Sequence, residues 1–487
     1  MAECSSSYVA EADITGLQGG MRNREFSSKE LTLAYMDRIA VYDKSGPCIN
    51  SVIELNPEAI LIAEARDHER SAGMNRGLLH GIPILLKDNI DTCDLMHTTA
   101  GSLALTGHYA SEDAYVVRLL RQAGAIILGK TNMSEMAKFL THHIPNGFSS
   151  RGGCVRNPYA PGKLDVGGSS CGSGAAVAAS LAAVAVGTET LGSIINPAVE
   201  NSIVGLNPSI GLVSRRGIMP LAPTHDTAGP MARSVKDAAI LLSVLAAYDP
   251  EDASTLMAKN KSYPDYTIFL QKNGFQGIRI GIPPDANFPK LPAEHQQVVE
   301  REIEVLRQLG AKMVEVESIT GLERQEWDMR ALVYEFKPAI NRYLAKLSPH
   351  LPVHSLRDMI DFNFRHNREL IEAYGQDLLI ASERTSGTLT EPEYIQAKLR
   401  DLRESRENGI DAILSNHNLD VLLSPGHDGV AAPAKAGYPS ITVPAGYTAC
   451  GEPSGLTFIG GQFSEGLLIR LAYSYEQATL HRRPPNL

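Results

Sequence analysis

The sequence predicts an α/β protein: one large domain over residues 1–487, with a mixed, mainly parallel central sheet covered by helices on both faces. Three observations predict it. From Gly81 onward, short apolar runs alternate with helical patterns, and strand–helix–strand at this spacing implies parallel pairing. The same alternation resumes after residue 278. Between the two stretches, Ala175 to Val186 is apolar except for Ser180; with no polar face to offer water, it belongs inside the protein.

The elements follow in order. Residues 1–75 read as N-terminal helices. Ser27-Ser-Lys-Glu30 is a capping-box pattern ahead of Leu31, Tyr35, Ile39 and Tyr42, which share one helical face. Asn56-Pro57 offers an N-cap with proline at N1 for a helix over Ala59–Arg70. Residues 76–245 carry the core: a strand over Ile82–Leu86, a helix over Ala114–Gln122 ended by Gly124, and a strand over Ala125–Leu128. A loop rich in Gly, Ser, Asn and Pro fills 141–170, and the Ala175–Val186 run reads as a buried helix. The second half continues with a strand at Ile278–Ile282, a helix at Glu294–Leu309 and a strand at Lys312–Val316. A charged, helical insertion follows over 320–400. A helix at Asn408–Asn418, strands at Val421–Ser424, Ile441–Val443 and Leu456–Ile459, and a helix at Gly466–Leu480 close the chain. No linker, internal repeat or low-complexity tract divides it.

Composition narrows the function classes. With 45 basic and 55 acidic residues, a net charge of −10 argues against binding phosphate backbones or anionic membrane surfaces, so neither nucleic acid nor membrane is expected as a partner. The six cysteines (Cys4, Cys48, Cys93, Cys154, Cys171 and Cys450) form no C-x-x-C pair, and no histidine stands at zinc-ligand spacing from them. Scattered thiols in a long chain suggest a reducing compartment. The N-terminus lacks a basic segment followed by an apolar one, and the longest apolar run is too short to span a bilayer. A cytoplasmic protein without a metal site is the expectation.

Three residues carry the chemistry. Lys87 ends the apolar run Gly81-Ile-Pro-Ile-Leu-Leu-Lys87. Ser169 lies in Gly167-Gly-Ser-Ser-Cys-Gly-Ser-Gly174, and Ser193 in Gly187-Thr-Glu-Thr-Leu-Gly-Ser-Ile194. A lysine with two serines in tight turns is what a hydrolase working without histidine requires. Other readings fit less well. Neither cluster has the lysine of a phosphate-binding P-loop. Gly168-Ser-Ser-Cys-Gly172 matches the G-x-S-x-G nucleophile elbow, but that elbow follows a buried strand, and here Asn157-Pro-Tyr-Ala-Pro161 leads in. His225-Asp226, His427-Asp428 and His142-His143 could suggest a Ser-His-Asp triad, yet each reads better as a loop or packing histidine.

Together with Gly129-Lys-Thr-Asn-Met-Ser-Glu-Met136, Asp226-Thr-Ala-Gly-Pro-Met-Ala-Arg-Ser-Val235 and Ala436-Gly-Tyr-Pro-Ser-Ile-Thr-Val-Pro-Ala445, the two clusters resemble the amidase signature family over about residues 30–480. Ser149-Ser-Arg-Gly-Gly153 and Gly187-Thr-Glu-Thr190 are most similar to the bacterial amidase and peptide amidase branch. The resemblance implies the amidase signature fold and hydrolysis of carboxamides, small or peptide, to acid plus ammonia or amine, without a cofactor. It makes Ser193 the nucleophile, Ser169 a bridging serine after a cis peptide bond, and Lys87 the base. The backbone N–H groups of Thr190, Leu191, Gly192 and Ser193 would form the oxyanion hole, and Leu191 and Ser170 would touch substrate. Lys87 can accept a proton only as a neutral amine, which requires lowering its pKa from ~10.4 to roughly 7–8 by burial. A different reading is a glutaminase-type subunit of a tRNA amidotransferase assembly. Oligomeric state stays open, a homodimer being one option.

Four positions depart from common family usage: Cys171, Leu191, Ile195 and Asn207. Leu191 matters most. Only its N–H serves the oxyanion, so its side chain is expected to narrow the acyl pocket, while Cys171 is expected to fill space without reacting.

Overall fold

The computed structural model describes residues 7–282, 291–316 and 328–487. Cys4 and residues 320–327 of the helical insertion lie outside the described residues. The strands are β1 (Val52–Leu55), β2 (Pro83–Lys87), β3 (Ile126–Thr131), β4 (Phe148–Ser149), β5 (Gly153–Cys154), β6 (Val184–Glu189), β7 (Val204–Asn207), β8 (Thr227–Ala232), β9 (Arg279–Ile282), β10 (Lys312–Glu315), β11 (Val421–Pro425), β12 (Ser440–Tyr447) and β13 (Pro453–Ile459). Eleven of them form one sheet in the order β1-β3-β2-β6-β8-β7-β12-β13-β11-β9-β10, flanked by helices, and β4 pairs with β5 alone. The chain is thus a single large α/β domain with a mixed sheet.

Parallel pairing occupies two blocks, β3-β2-β6 and β11-β9-β10. From β6 through β8, β7, β12 and β13 to β11 the neighbours run antiparallel, more than the alternation alone implies. Strands β7 and β8 carry Gly205, Gly229 and Pro230 and lack a strand-like pattern, so tertiary pairing decides their structure.

The capping box is formed: Ser27 Oγ accepts from the Glu30 N–H at 3.1 Å, and Glu30 Oε2 accepts from the Ser27 N–H at 2.8 Å. Asn56 turns the chain into the Ala59–Ser71 helix by accepting the Glu58 N–H at 3.0 Å. The N-terminal stretch is not all helix, since Val52–Leu55 pairs antiparallel with β3 at the sheet edge.

The expected Ala175–Val186 helix is corrected. The helix is Cys171–Ala178; Ser180 takes a left-handed φ of 54°, and from Val184 the chain is β6. The β-branched Val184 and Val186 favour the strand, and β6 is buried throughout between β2 and β8. One apolar run thereby supplies both a buried helix and a central strand, and β6 delivers the second serine cluster to the sheet end.

The main apolar core surrounds the sheet. A second cluster joins Leu332, Phe336 and Ile340 of the Arg330–Leu344 helix and Leu356 and Met359 of the Leu356–His366 helix to Met136, Phe139 and Leu221, with Leu191 packed against it. The described part of the insertion is therefore fastened over the 136–139 and 221–222 segments and against Leu191 of the second serine cluster.

Candidate active site

Lys87 is the last residue of β2, and its neighbours on both sides are buried strands, so its side chain is 0% exposed. Its Nζ lies 2.8 Å from Ser169 Oγ, 2.9 Å from Ser170 Oγ and 3.1 Å from the Thr188 carbonyl oxygen. Burial pushes its pKa down to about 7; the carboxyl groups of Glu189 and Asp226 act in the opposite direction without reaching it. No carboxylate among the described residues forms an ion pair with Lys87.

Ser169 follows a cis Gly168–Ser169 peptide bond. The turn before it is held by side chains: Asn196 Oδ1 accepts the Gly168 N–H and Asp165 Oδ1 the Gly167 N–H, both at 2.7 Å. The Ser169 carbonyl accepts the Ser134 N–H at 3.1 Å. Gly167 has φ of 70°, and a Cβ there would lie 2.6 Å from Pro197 Cα, so the turn requires glycine. Ser170, expected at the substrate, is fully buried, and its hydroxyl donates to the Thr188 carbonyl at 3.0 Å while facing Lys87. It belongs to the surroundings of the lysine, because the helix starting at Cys171 turns it inward.

Ser193 is 8% exposed. Its carbonyl accepts the Ser170 N–H at 3.1 Å, which stitches the two serine clusters together. The structure brings Lys87 and Ser169 into contact, whereas Ser193 joins them through this backbone bond and not by a side-chain hydrogen bond to Ser169. Glu189, the last residue of β6, accepts the N–H of Ile194 at 2.6 Å and of Ile195 at 3.1 Å, capping the short helix Ile195–Glu200, and the Gly192 N–H also approaches it. The N–H groups of Thr190, Leu191 and Ser193 have no acceptor among the described residues. Gly192 has φ of 83°, and a Cβ there would meet Val430 Cγ2 at 2.8 Å.

Several contacts escaped sequence reasoning. Thr190 Oγ1 donates to Asp226 Oδ1 at 2.6 Å, and burial raises the Asp226 carboxyl to about 6. Asn89 Nδ2 donates to Thr188 Oγ1 at 3.1 Å. Beside these residues lies a cavity of about 610 Å³, lined by Asn89, Thr188, Thr190 and Asp226 and by Arg342 and Tyr343 of the insertion helix. The sequence marks Asp226 by its place in the Asp226-Thr-Ala-Gly-Pro segment and beside His225, and neither signal points to Thr190.

No histidine among the described residues hydrogen-bonds to Ser169 or Ser193. His225 Nδ1 pairs with Thr224 Oγ1 at 3.0 Å, and burial drives its pKa well below the usual range. His427 faces Glu200 at 3.6 Å, and His142 pairs with Asp377 at 2.5 Å. Cys171 is fully buried, and burial pushes its thiol up to about 11. No group of His, Cys, Asp and Glu among the described residues could hold a metal ion, and no described helix is long and apolar enough to cross a membrane.

This fold, with its buried lysine against a serine, defines a hydrolase of the amidase class. The chain belongs to the amidase signature family: the amidase family model matches residues 30–434. Native peptide amidase from Stenotrophomonas maltophilia superposes with a TM-score of 0.92 at 45% identity, covering 98% of this chain and 99% of that one. An amidase family protein from Bacillus anthracis gives a TM-score of 0.93 at 40% identity, over 99% and 94% of the two chains. A glutamyl-tRNA(Gln) amidotransferase subunit of Pseudomonas syringae is 34% identical over 96% of this chain and 97% of its own length.

Proposed function

We propose that this amidase cleaves carboxamide C–N bonds through a Ser193–Ser169–Lys87 relay and an acyl-enzyme, without a metal or cofactor. The observation that carries this reading is the set of contacts around Lys87 Nζ. A neutral amine has two hydrogens and one lone pair. Thr188 O and Ser170 Oγ take the hydrogens, and the lone pair is left facing Ser169 Oγ at 2.8 Å. Ser169 can then pass its proton to Lys87 while accepting the proton of Ser193. The Ser193 Oγ attacks the carbonyl carbon, and the oxyanion forms near the free N–H groups of Thr190, Leu191 and Ser193, Gly192 being drawn toward Glu189. As the C–N bond breaks, the Lys87 proton returns through Ser169 to the leaving nitrogen. A water molecule, deprotonated by the same relay, hydrolyses the acyl-serine to the acid.

The similarity to a peptide amidase supports small or peptide carboxamides as the substrate class. The described insertion helices, packed with Leu191, supply the acyl-side wall in this reading, which keeps 1–75, 76–245 and 320–400 as parts of one domain. The acidic balance and the six scattered cysteines, five of them free thiols among the described residues, support a cytoplasmic enzyme that engages neither nucleic acid nor membrane. The kinship with the amidotransferase protein carries a second reading, a glutaminase-type subunit that depends on partners; a homodimer is left as an option.

Ammonia release by the isolated protein from a panel of amides, C-terminal amides of short peptides included, decides between them, with Ser193→Ala as control. Turnover lost in Ser193→Ala supports the relay. Activity only with glutamine, and only with partners added, supports the second reading. Failure on every amide and ester sinks the first.

A further inference from the structure

The antiparallel register between β6 and β8 ends at Glu189 opposite Thr227. The next residues outward, Thr190 and Asp226, consequently face each other beyond the strand ends. Thr190 Oγ1 donates to Asp226 Oδ1 at 2.6 Å, and Asp226 Oδ2 accepts the N–H groups of Leu221 and Ala222, each at 2.9 Å. Both oxygens are thus committed to neutral donors, and no cation among the described residues forms an ion pair with this carboxylate. A buried carboxylate without a paired cation is costly, and its hydrogen bonds must offset that cost. What the charge grips are two segments of the site: the turn leading to Ser193, and the 221–222 segment in the same apolar cluster that holds Leu191.

We propose that Asp226 is a positioning residue for the reaction: through the Thr190 hydroxyl it holds the Thr190–Ser193 turn so that the Leu191 and Ser193 N–H groups meet the developing oxyanion. The proposal rests on the relay reading above. Thr190 acts at both ends of this device, its hydroxyl fixed by Asp226 and its backbone leading into the donors. Because the oxyanion exists only in the transition state, a slackened turn lowers kcat and leaves substrate affinity nearly intact.

The test uses the full chain with a C-terminally amidated dipeptide and 4-nitrophenyl acetate as probes. Thr190→Val keeps the β-branched shape and removes only the hydroxyl; kcat is expected to fall about 10- to 100-fold with KM within about 3-fold, the scale of a displaced oxyanion donor. Thr190→Ser restores the hydroxyl and is expected to recover most of that loss. Asp226→Asn can keep the bridge, its Oδ1 toward the Leu221 and Ala222 N–H groups and its Nδ2 toward a reversed Thr190 hydroxyl, so it loses less than Thr190→Val. Unchanged kcat in Thr190→Val, a loss confined to KM, or a loss that Thr190→Ser does not rescue overturns the proposal. Melting curves of all three variants identify any loss due to unfolding; a Thr190→Val defect that tracks a lowered melting temperature also counts against it. Ser193→Ala is run alongside. If it retains turnover the relay reading fails, whereas a dead Ser193→Ala beside a fully active Thr190→Val removes the positioning role alone.

Discussion

Lys87 Nζ and Ser169 Oγ stand 2.8 Å apart at the ends of two segments that the chain separates by 82 residues, and no acid among the described residues pairs with the lysine. Its low pKa of about 7 arises from burial, which disfavours the ammonium. The proposed base is active as the neutral amine, so kcat/KM is expected to rise with pH through about 7 and then level off. Asp226, raised by burial to about 6, titrates on the acid side of that midpoint. The linkage has a definite sign. An unfolded lysine titrates near ~10.4, so between about 7 and that value the unfolded chain binds the extra proton, and this group's contribution to stability rises with pH. Below about 7 the folded protein carries a buried ammonium and the cost is complete. Lys87→Met is therefore expected to be inactive at every pH, and its melting temperature should exceed that of the wild type most clearly on the acid side. A pH–rate profile and melting curves at several pH values check both halves. A profile that falls as pH rises through 7 would refute the neutral-base reading.

The legible part of the site was the part written in glycine and serine. Tight turns need those residues at fixed offsets, so Ser169 and Ser193 stood out from local sequence, and Lys87, at the end of an apolar run, gained its meaning only beside the two clusters. Asp226, Asn196 and Glu189 did not, because an Asp, Asn or Glu that holds a backbone N–H has the same local look as one in water. Their roles appear only when β6 lies beside β8 and the Ile195–Glu200 helix lies over the Gly167–Gly168 turn. The alternation of apolar runs gave β2, β3, β9, β10 and β11, which make up the two parallel blocks except for β6. It missed β7 and β8, whose Gly205, Gly229 and Pro230 are breakers in isolation, and it fused the Cys171–Ala178 helix with β6 because burial on all sides erases periodicity.

Leu191 is partly buried and packs on the cluster built from the insertion helices, while its N–H lies in the turn before Ser193. In the proposed reading its side chain belongs to the wall of the acyl side, next to the oxyanion donors. Leu191→Gly removes four carbons from that wall and is expected to shift the ratio of kcat/KM between bulky and small acyl amides toward the bulky ones by about 10-fold or more, the range set by methylene-sized changes in apolar pockets. Competition assays with paired amides measure the ratio directly. An unchanged substrate profile would remove Leu191 from the pocket.

Gly192 is held at φ of 83°, and a Cβ there would come within 2.8 Å of Val430 Cγ2. An alanine meets two costs: a left-handed backbone that L residues rarely adopt, about 1 kcal/mol or more, and a clash with a 2% exposed valine. Val430 packs with Ile195 and Val199, just after Ser193, so relief of the clash displaces the turn and not a free side chain. Gly192→Ala is therefore expected to lower kcat by at least about 10-fold while costing only about 1–3 kcal/mol of stability, leaving a folded protein. Val430→Ala opens the space that the new methyl needs, so the double variant should recover part of the lost kcat, though the backbone penalty remains. A double-mutant cycle in kcat measures that coupling. If the two losses simply add, the turn is not set by Val430, and the defect of Gly192→Ala lies in its φ alone.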